Sequence, residues 1–154
     1  MNISPYVGVG ELRFGTTTKQ ILDILREPTR VKRLEHPLFC TVWEYPEAEL
    51  TCYFAGNCDD LSLCLVILGC SDVQVMLLGF DVFNCDLFDE LTRRGLAFSK
   101  NADQFDNLCI RVDGLGIEFW TNQDGVLDSV HVYESDFWNK VNCRKAVKPN
   151  DDSE

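Results

Sequence analysis

The sequence lacks the residue patterns that carry the common catalytic chemistries. It contains only two histidines in 154 residues, His36 and His131. Neither indicates a Ser-His-Asp or Cys-His arrangement, and no G-x-S-x-G, P-loop or H-E-x-x-H motif occurs. One alternative stays open, because Glu118 and His131 fall on neighbouring predicted strands and can form an acid/base pair there. We predict a protein that is not an enzyme.

Closely spaced cysteine pairs are also absent, although the chain contains eight cysteines. Zinc sites usually take their ligands from C-x-x-C pairs on tight turns. Cys52, Cys58, Cys64 and Cys70 instead recur every six residues, some of them inside strand-like apolar runs. This spacing favours reduced thiols that pack in the core over metal ligands. We therefore expect neither a metal nor a cofactor.

No segment has the pattern of a secretory signal or of a membrane span. The N-terminal stretch MNISPYVGVGELRF has no basic region followed by an apolar one. The strongest apolar run, from Leu61 to Cys70, is too short to cross a bilayer. Buried thiols in a chain without a signal are typical of a reducing compartment. We expect a cytoplasmic protein with no membrane partner.

Positive charge is scarce. The chain has 14 Lys and Arg against 25 Asp and Glu, for a formal net charge of −11. Such a field repels nucleic-acid phosphates, which disfavours nucleic acid as a partner. It speeds association with a basic protein, although acidity also serves solubility alone. A basic protein is the partner that the charge favours.

The chain is 45% hydrophobic, enough for a packed core, and its two halves follow a similar pattern. An offset of 66 residues aligns 14–66 with 80–132 without a gap. The pattern predicts an α+β domain over 1–134, built of two tandem units at about 8–70 and 75–134. Each unit is expected to hold a helix and three strands, giving an antiparallel sheet with both helices packed on one face. A partly disordered tail is expected over 135–154.

Local signals place the predicted elements. Thr17 and Gln20 have capping-box spacing, and Pro28 stops the first helix. Asn84 is the expected cap of the second helix, and Gly95 stands at its end. The predicted strands are 39–45, 50–54, 61–69, 108–112, 117–120 and 127–134.

Alternation along these strands separates a core face from an opposite face. The residues expected under the helices are Leu108, Ile110, Val112, Ile117, Phe119, Val130 and Val132. The residues expected on the opposite face of the second half are Cys109, Arg111, Glu118, Trp120, Ser129, His131 and Tyr133. The same phase, carried to the first half, adds Trp43, Tyr45, Cys52, Phe54, Leu63 and Leu65.

With both helices on one side, the opposite face has no evident cover, and its aromatic and charged residues are typical of a protein-binding surface. The predicted partner-binding residues are Trp43, Tyr45, Phe54, Arg111, Glu118, Trp120, His131 and Tyr133. The alternative is that the tail or a long loop covers this face, which then forms a second small core.

The pattern G-x-x-x-F-G-T-T-x-x-x-I-x-x-I-L-x-x-P, followed by a W-x-Y strand and an apolar hairpin, resembles the module of two protein families. These are the small outer-membrane-assembly lipoproteins and the tandem β-lactamase inhibitor proteins; bacterial toxin-immunity proteins are similar in size and charge. The likeness covers Gly8 to about Leu68 well and Leu77 to Tyr133 more loosely. The lipoproteins begin with a signal and a lipidated cysteine, which this sequence lacks. The inhibitors present a concave sheet face to a protein target, which implies the same use of the aromatic face here.

Together these features predict a non-catalytic, cytoplasmic protein that binds and neutralises a partner protein, as the immunity protein of a bacterial toxin does. Two other roles stay open: a general protein-interaction or assembly module, and a small-ligand-binding domain.

Overall fold

The computed structural model describes residues 1–35, 40–57 and 60–142, and thirteen strands and three short helices occur among them. The strands are, in chain order, β1 Asn2–Ser4, β2 Gly8–Val9, β3 Leu12–Arg13, β4 Arg30–Leu34, β5 Cys40–Tyr45, β6 Leu50–Asn57, β7 Asp60–Gly69, β8 Met76–Leu77, β9 Phe80–Asp81, β10 Phe98–Ala102, β11 Leu108–Val112, β12 Ile117–Thr121 and β13 Leu127–Tyr133. The helices are α1 Thr18–Ile24, α2 Leu87–Arg93 and α3 Phe137–Asn142.

Eight strands form one large antiparallel sheet in the order β10-β11-β12-β13-β7-β6-β5-β4. It consists of two four-stranded meanders, because β4 to β7 are consecutive neighbours and so are β10 to β13. The meanders join along β7 and β13, where Val66 lies opposite Val132. Short turns such as Pro46–Ala48 connect neighbouring strands, as antiparallel pairing allows.

A second sheet of five short strands has the order β3-β2-β1-β8-β9. It brings the segments before α1 and α2 together with the N-terminal strand. The pair β1–β8 is parallel, with Ile3 opposite Leu77, and the other pairs are antiparallel.

The two sequence-predicted helices are present, and each is seven residues long. Thr17 and Gln20 form the capping box that their spacing indicated at α1. The expected cap of α2 is wrong: Asp86, not Asn84, accepts a hydrogen bond from the backbone N–H of Asp89 at 3.1 Å. Asn84 instead donates to the Asp81 carboxylate at 3.0 Å, so its side chain is engaged outside the helix.

The predicted fold of two helix-plus-three-strand units is wrong. Strands account for 46% of the structure and helices for only 16%, in two sheets with three small helices. Each half of the chain adds a fourth strand to the large sheet, β4 or β10. Four of the five β4 residues are exposed, so β4 carries no apolar alternation that would mark it as a strand.

The expectation that the helices share one face is also incomplete, because α3 lies on the other side. Ile21 of α1 and Leu91 of α2 belong to the main core. Phe137 and Val141 of α3 belong to a second, smaller core on the opposite side of the sheet. The expected tail thus contributes a packed helix up to residue 142, and the rest of it lies outside the described residues.

None of the described helices has the length and apolarity that a membrane crossing requires.

A bulge in β7 reverses the side-chain alternation of that strand. Phe54 pairs with Leu63, whereas the preceding Tyr53 pairs with Leu65, so Cys64 is an extra residue without a partner on β6. Leu63 consequently faces the main core and Leu65 the second core. The bulge accounts for Leu63 alone, because Trp43, Cys52 and Val66 lie opposite one another on its regular side. The offset of 66 residues matches Cys52 with Glu118 of the opposite face, although Cys52 faces the main core, so the predicted phase of β5 and β6 is wrong by one position.

The prediction that Trp43, Tyr45 and Phe54 lie on the face away from α1 and α2 is therefore wrong. Trp43 is 8% exposed and Phe54 is fully buried, both within the main core. Their rings contact each other with centroids 4.7 Å apart. Tyr45 is partly buried and packs against the same core.

Candidate functional site

The sheet face opposite α1 and α2, called the second face from here on, is covered over one half and open over the other. The covered half lies under α3, where the second core comprises Cys40, Val42, Ala55, Cys64, Leu65, Tyr133, Phe137 and Val141. The open half lies on β11, β12 and β13. The alternative of a covered face thus holds for the first meander. In the second meander, Arg111 is exposed and Trp120 partly exposed within the part of the chain that the structure describes.

Glu118 stands at the centre of the open half and is only 4% exposed. The antiparallel register puts Arg111 beside it on one strand and His131 beside it on the other. The Arg111 Nε–H donates to Glu118 Oε1 at 2.9 Å. The Tyr133 hydroxyl donates to Oε2 at 2.8 Å, and the Trp120 indole N–H donates to the same oxygen at 3.3 Å. One buried carboxylate therefore fixes three large side chains of the face.

Four rings form a continuous line from the open half to α3, called the aromatic row from here on: Trp120, His131, Tyr133, which also belongs to the second core, and Trp138. Successive ring centroids are 5.7, 6.3 and 5.7 Å apart, and Trp138 stacks on Tyr133 with an interplanar angle of 26°. The ends of the row reach solvent, since Trp120 is partly exposed and Trp138 is 48% exposed.

Sequence reasoning missed Trp138. A signal for it existed, because Phe137 and Val141 have the i, i+4 spacing of one helix face and the neighbouring Trp138 must then point elsewhere.

Of the eight predicted residues, the structure brings Arg111, Glu118, Trp120, His131 and Tyr133 together. Trp43, Tyr45 and Phe54 do not join them, and His36 lies outside the described residues.

The imidazole of His131 is held in its neutral form. Burial lowers its pKa to about 4, although the carboxylates of Glu118 and Asp128 oppose this shift. Its Nδ1 lies 3.4 Å from the Tyr133 hydroxyl and its Nε2 lies 3.2 Å from the Ser129 hydroxyl. The oxygens of Glu118 are occupied by Arg111, Tyr133 and Trp120, so the arrangement fits a rigid surface better than an acid/base pair.

This pKa predicts that acid destabilises the protein through His131. Between pH 6.5 and about 4, His131 binds a proton in the unfolded chain but not in the folded chain. The free energy of unfolding is therefore highest above pH 6.5 and decreases as the pH falls through this range. The expected loss from pH 7 to pH 5 is about 2 kcal/mol of unfolding free energy. Urea unfolding at both pH values measures it.

The control for this prediction is His131→Gln, which keeps a polar side chain that does not titrate. Its loss of stability from pH 7 to pH 5 should be smaller than that of the unchanged protein by about the same 2 kcal/mol. Equal losses in the two proteins would show that groups other than His131 control the acid response.

Four of the six cysteines among the described residues are buried, namely Cys40, Cys52, Cys64 and Cys109, whereas Cys85 is partly buried and Cys70 is exposed. Burial raises the pKa of Cys52 to about 12 and that of Cys40 to about 11, so both are protonated at neutral pH. Among the described positions no three His, Cys, Asp or Glu side chains group as metal ligands. Cys58 of the six-residue spacing lies outside those positions.

No protein-family model, curated protein or solved structure matches this chain. The resemblance to the assembly lipoproteins and the tandem inhibitors therefore stays a prediction from sequence pattern.

Proposed function

We propose that the protein binds and neutralises a basic partner protein through the open half of the second face. The observation that carries this proposal is the aromatic row, ordered around the buried Glu118 carboxylate and exposed at both ends. A toxin domain with a basic active-site surface is the kind of partner that we have in mind. In the same proposal, the protein acts without catalysing a reaction and is located in the cytoplasm.

The residue types of this surface are those that dominate binding energy in protein interfaces. Trp, Tyr and Arg are the commonest hot-spot residues because they release much hydration and combine apolar area with hydrogen bonding. Arg111 keeps 55% of its side chain exposed while Glu118 holds its guanidinium. Since Trp120, Arg111 and Tyr133 are already ordered by one carboxylate, little side-chain entropy is lost on binding.

The charge of the chain supports a basic partner. A net charge of −11 attracts a cationic surface over a distance of about 10 Å at moderate salt, which raises the association rate. Salt should therefore slow association, while the aromatic contacts should control dissociation.

The test is affinity capture with the full-length protein from the organism that encodes it, followed by calorimetry with the purified partner. Trp120→Ala and Trp138→Ala should each cost about 2 kcal/mol of binding free energy, or about a 30-fold loss of affinity. Phe105→Ala is the matched control, because Phe105 is an exposed aromatic residue outside the aromatic row. Co-expression with the partner should relieve its toxicity.

Two outcomes would overturn the proposal. One is a partner whose affinity is the same for Trp120→Ala, Trp138→Ala and the unchanged protein. The other is a partner that binds at the aromatic row but keeps its full activity in the complex, which would indicate an assembly module instead.

A further inference from the structure

A cleft of about 250 Å³ lies at the end of the aromatic row where Trp138 stands. Tyr6, from the turn after β1, lines it together with Tyr133, Trp138, Arg111 and Asp113. We propose that this cleft takes a cationic side chain, a lysine or an arginine, from the partner protein. The inference rests on the function proposed above and names the group that the partner inserts.

Three aromatic rings make this cleft suitable for a cation. Tyr6 is 40% exposed and Trp138 is 48% exposed, so both offer ring surface to the cleft, and Trp138 stacks on the buried Tyr133. A cation beside aromatic faces is attracted by their quadrupoles, and the apolar stem of lysine or arginine packs against the same rings.

The position of Tyr6 depends on an unusual local backbone. Tyr6 has a φ of 61°, in the left-handed region that residues with a Cβ rarely occupy. Its ring lies on Gly116, where an added Cβ would stand 2.7 Å from Tyr6 Cε1 and 2.9 Å from the Tyr133 carbonyl oxygen. Gly116 also has a positive φ, of 63°. Only glycine at this position lets the Tyr6 ring form one wall of the cleft.

The charges around the cleft favour a cation over an anion. Of the three carboxylates that line it, Glu118 is paired with Arg111, and Glu134 accepts from the Lys140 ammonium at 2.7 Å. The third, Asp113, is exposed and forms no ion pair with any residue that the structure describes. The lining therefore has one uncompensated negative charge beside the aromatic rings, and an incoming ammonium or guanidinium group neutralises it.

The first test titrates the ¹⁵N-labelled full chain with small amides and follows the three tryptophan indole resonances by NMR. The probes are N-acetyl-lysine methylamide and N-acetyl-arginine methylamide, with the uncharged N-acetyl-norleucine methylamide as the control. We expect saturable shifts of the Trp138 indole with one or both cationic probes, at least threefold weaker binding of the norleucine probe, and no saturable shift at Trp120. Equal binding of the norleucine probe, or no saturable shift with either cation, would overturn the inference.

The second test uses matched variants. Asp113→Asn and Tyr6→Leu should each weaken binding of the cationic probe at least threefold. Asp128→Asn makes the same change of net charge at an exposed position outside the cleft, and it should leave probe binding unchanged. Unfolding midpoints of all variants show that each is folded. Equal losses in Asp113→Asn and Asp128→Asn would mean that only the overall charge matters, which contradicts a defined cleft.

Failure of this inference can be told apart from failure of the proposed function. If partner affinity falls with Trp120→Ala but not with Asp113→Asn or Tyr6→Leu, the cleft inference is wrong and the binding function stands. If the cationic probe binds as expected but no basic protein is captured, the cleft chemistry stands and the proposed function is wrong.

Discussion

Replacing Trp43 with alanine is expected to lower the free energy of unfolding by about 3–5 kcal/mol. The indole is 8% exposed within the main core, and its ring contacts that of the fully buried Phe54. Truncation removes a large apolar surface from the core, leaves a cavity and abolishes an aromatic pair. Urea denaturation followed by circular dichroism measures the change.

Trp138→Ala is the matched control for this prediction, since it removes the same ring from a surface position. Because Trp138 is 48% exposed, its loss should cost less than about 1 kcal/mol of unfolding free energy while it weakens partner binding. A Trp43→Ala protein as stable as Trp138→Ala would contradict the placement of Trp43 in the core. This pair of variants also separates a tryptophan that stabilises the fold from one that we expect to bind.

The sequence located those strands whose two faces differ in polarity. In Leu108–Val112 the apolar Ile110 and Val112 flank the charged Arg111, and the structure has a strand with the same bounds in which these two are buried and Arg111 is exposed. Arg30–Leu34 escaped prediction because an edge strand with both faces near solvent has no such alternation. The five-stranded sheet was also beyond reach as a whole, since its central pair β1–β8 joins the N-terminus to residues more than seventy positions away.

The candidate site was predictable in the second meander and not in the first. Alternation grouped Arg111, Glu118 and Tyr133 correctly, because β11, β12 and β13 keep their phase over these positions. In the first meander the offset of 66 residues matched Cys52 with Glu118, although Cys52 and Phe54 face the main core, and the bulge at Cys64 displaced Leu63 in addition. The pairing register of neighbouring strands depends on how side chains pack on the two faces of the sheet. The order of polar and apolar residues along the chain does not contain this information.

Glu118→Ala is expected to cost about 3 kcal/mol of unfolding free energy, although it removes a charged residue from an acidic protein. The carboxylate is 4% exposed and accepts hydrogen bonds from Tyr133, Trp120 and Arg111. Its removal leaves the buried Tyr133 hydroxyl with only the long contact to His131 Nδ1 at 3.4 Å, and the loss of its short bond costs about 1–3 kcal/mol. Loss of the ion pair adds less than in a fully buried pair, because the Arg111 side chain is 55% exposed and water can solvate it. Partner affinity should fall as well, since the rings are no longer held in place.

A double-mutant cycle with Tyr133→Phe tests whether the cost comes from these bonds. Tyr133→Phe removes the hydroxyl that donates to Glu118 at 2.8 Å and keeps the ring that packs against Phe137 and Trp138. In the Tyr133→Phe background, Glu118→Ala no longer removes the acceptor of a buried hydroxyl. The loss of unfolding free energy that Glu118→Ala causes should therefore be smaller by about 1–2 kcal/mol. Equilibrium urea unfolding of the four proteins gives the coupling energy. Additive costs would show that the Tyr133 hydrogen bond contributes nothing to the cost of Glu118→Ala, which would then come from the bonds to Arg111 and Trp120 and from packing.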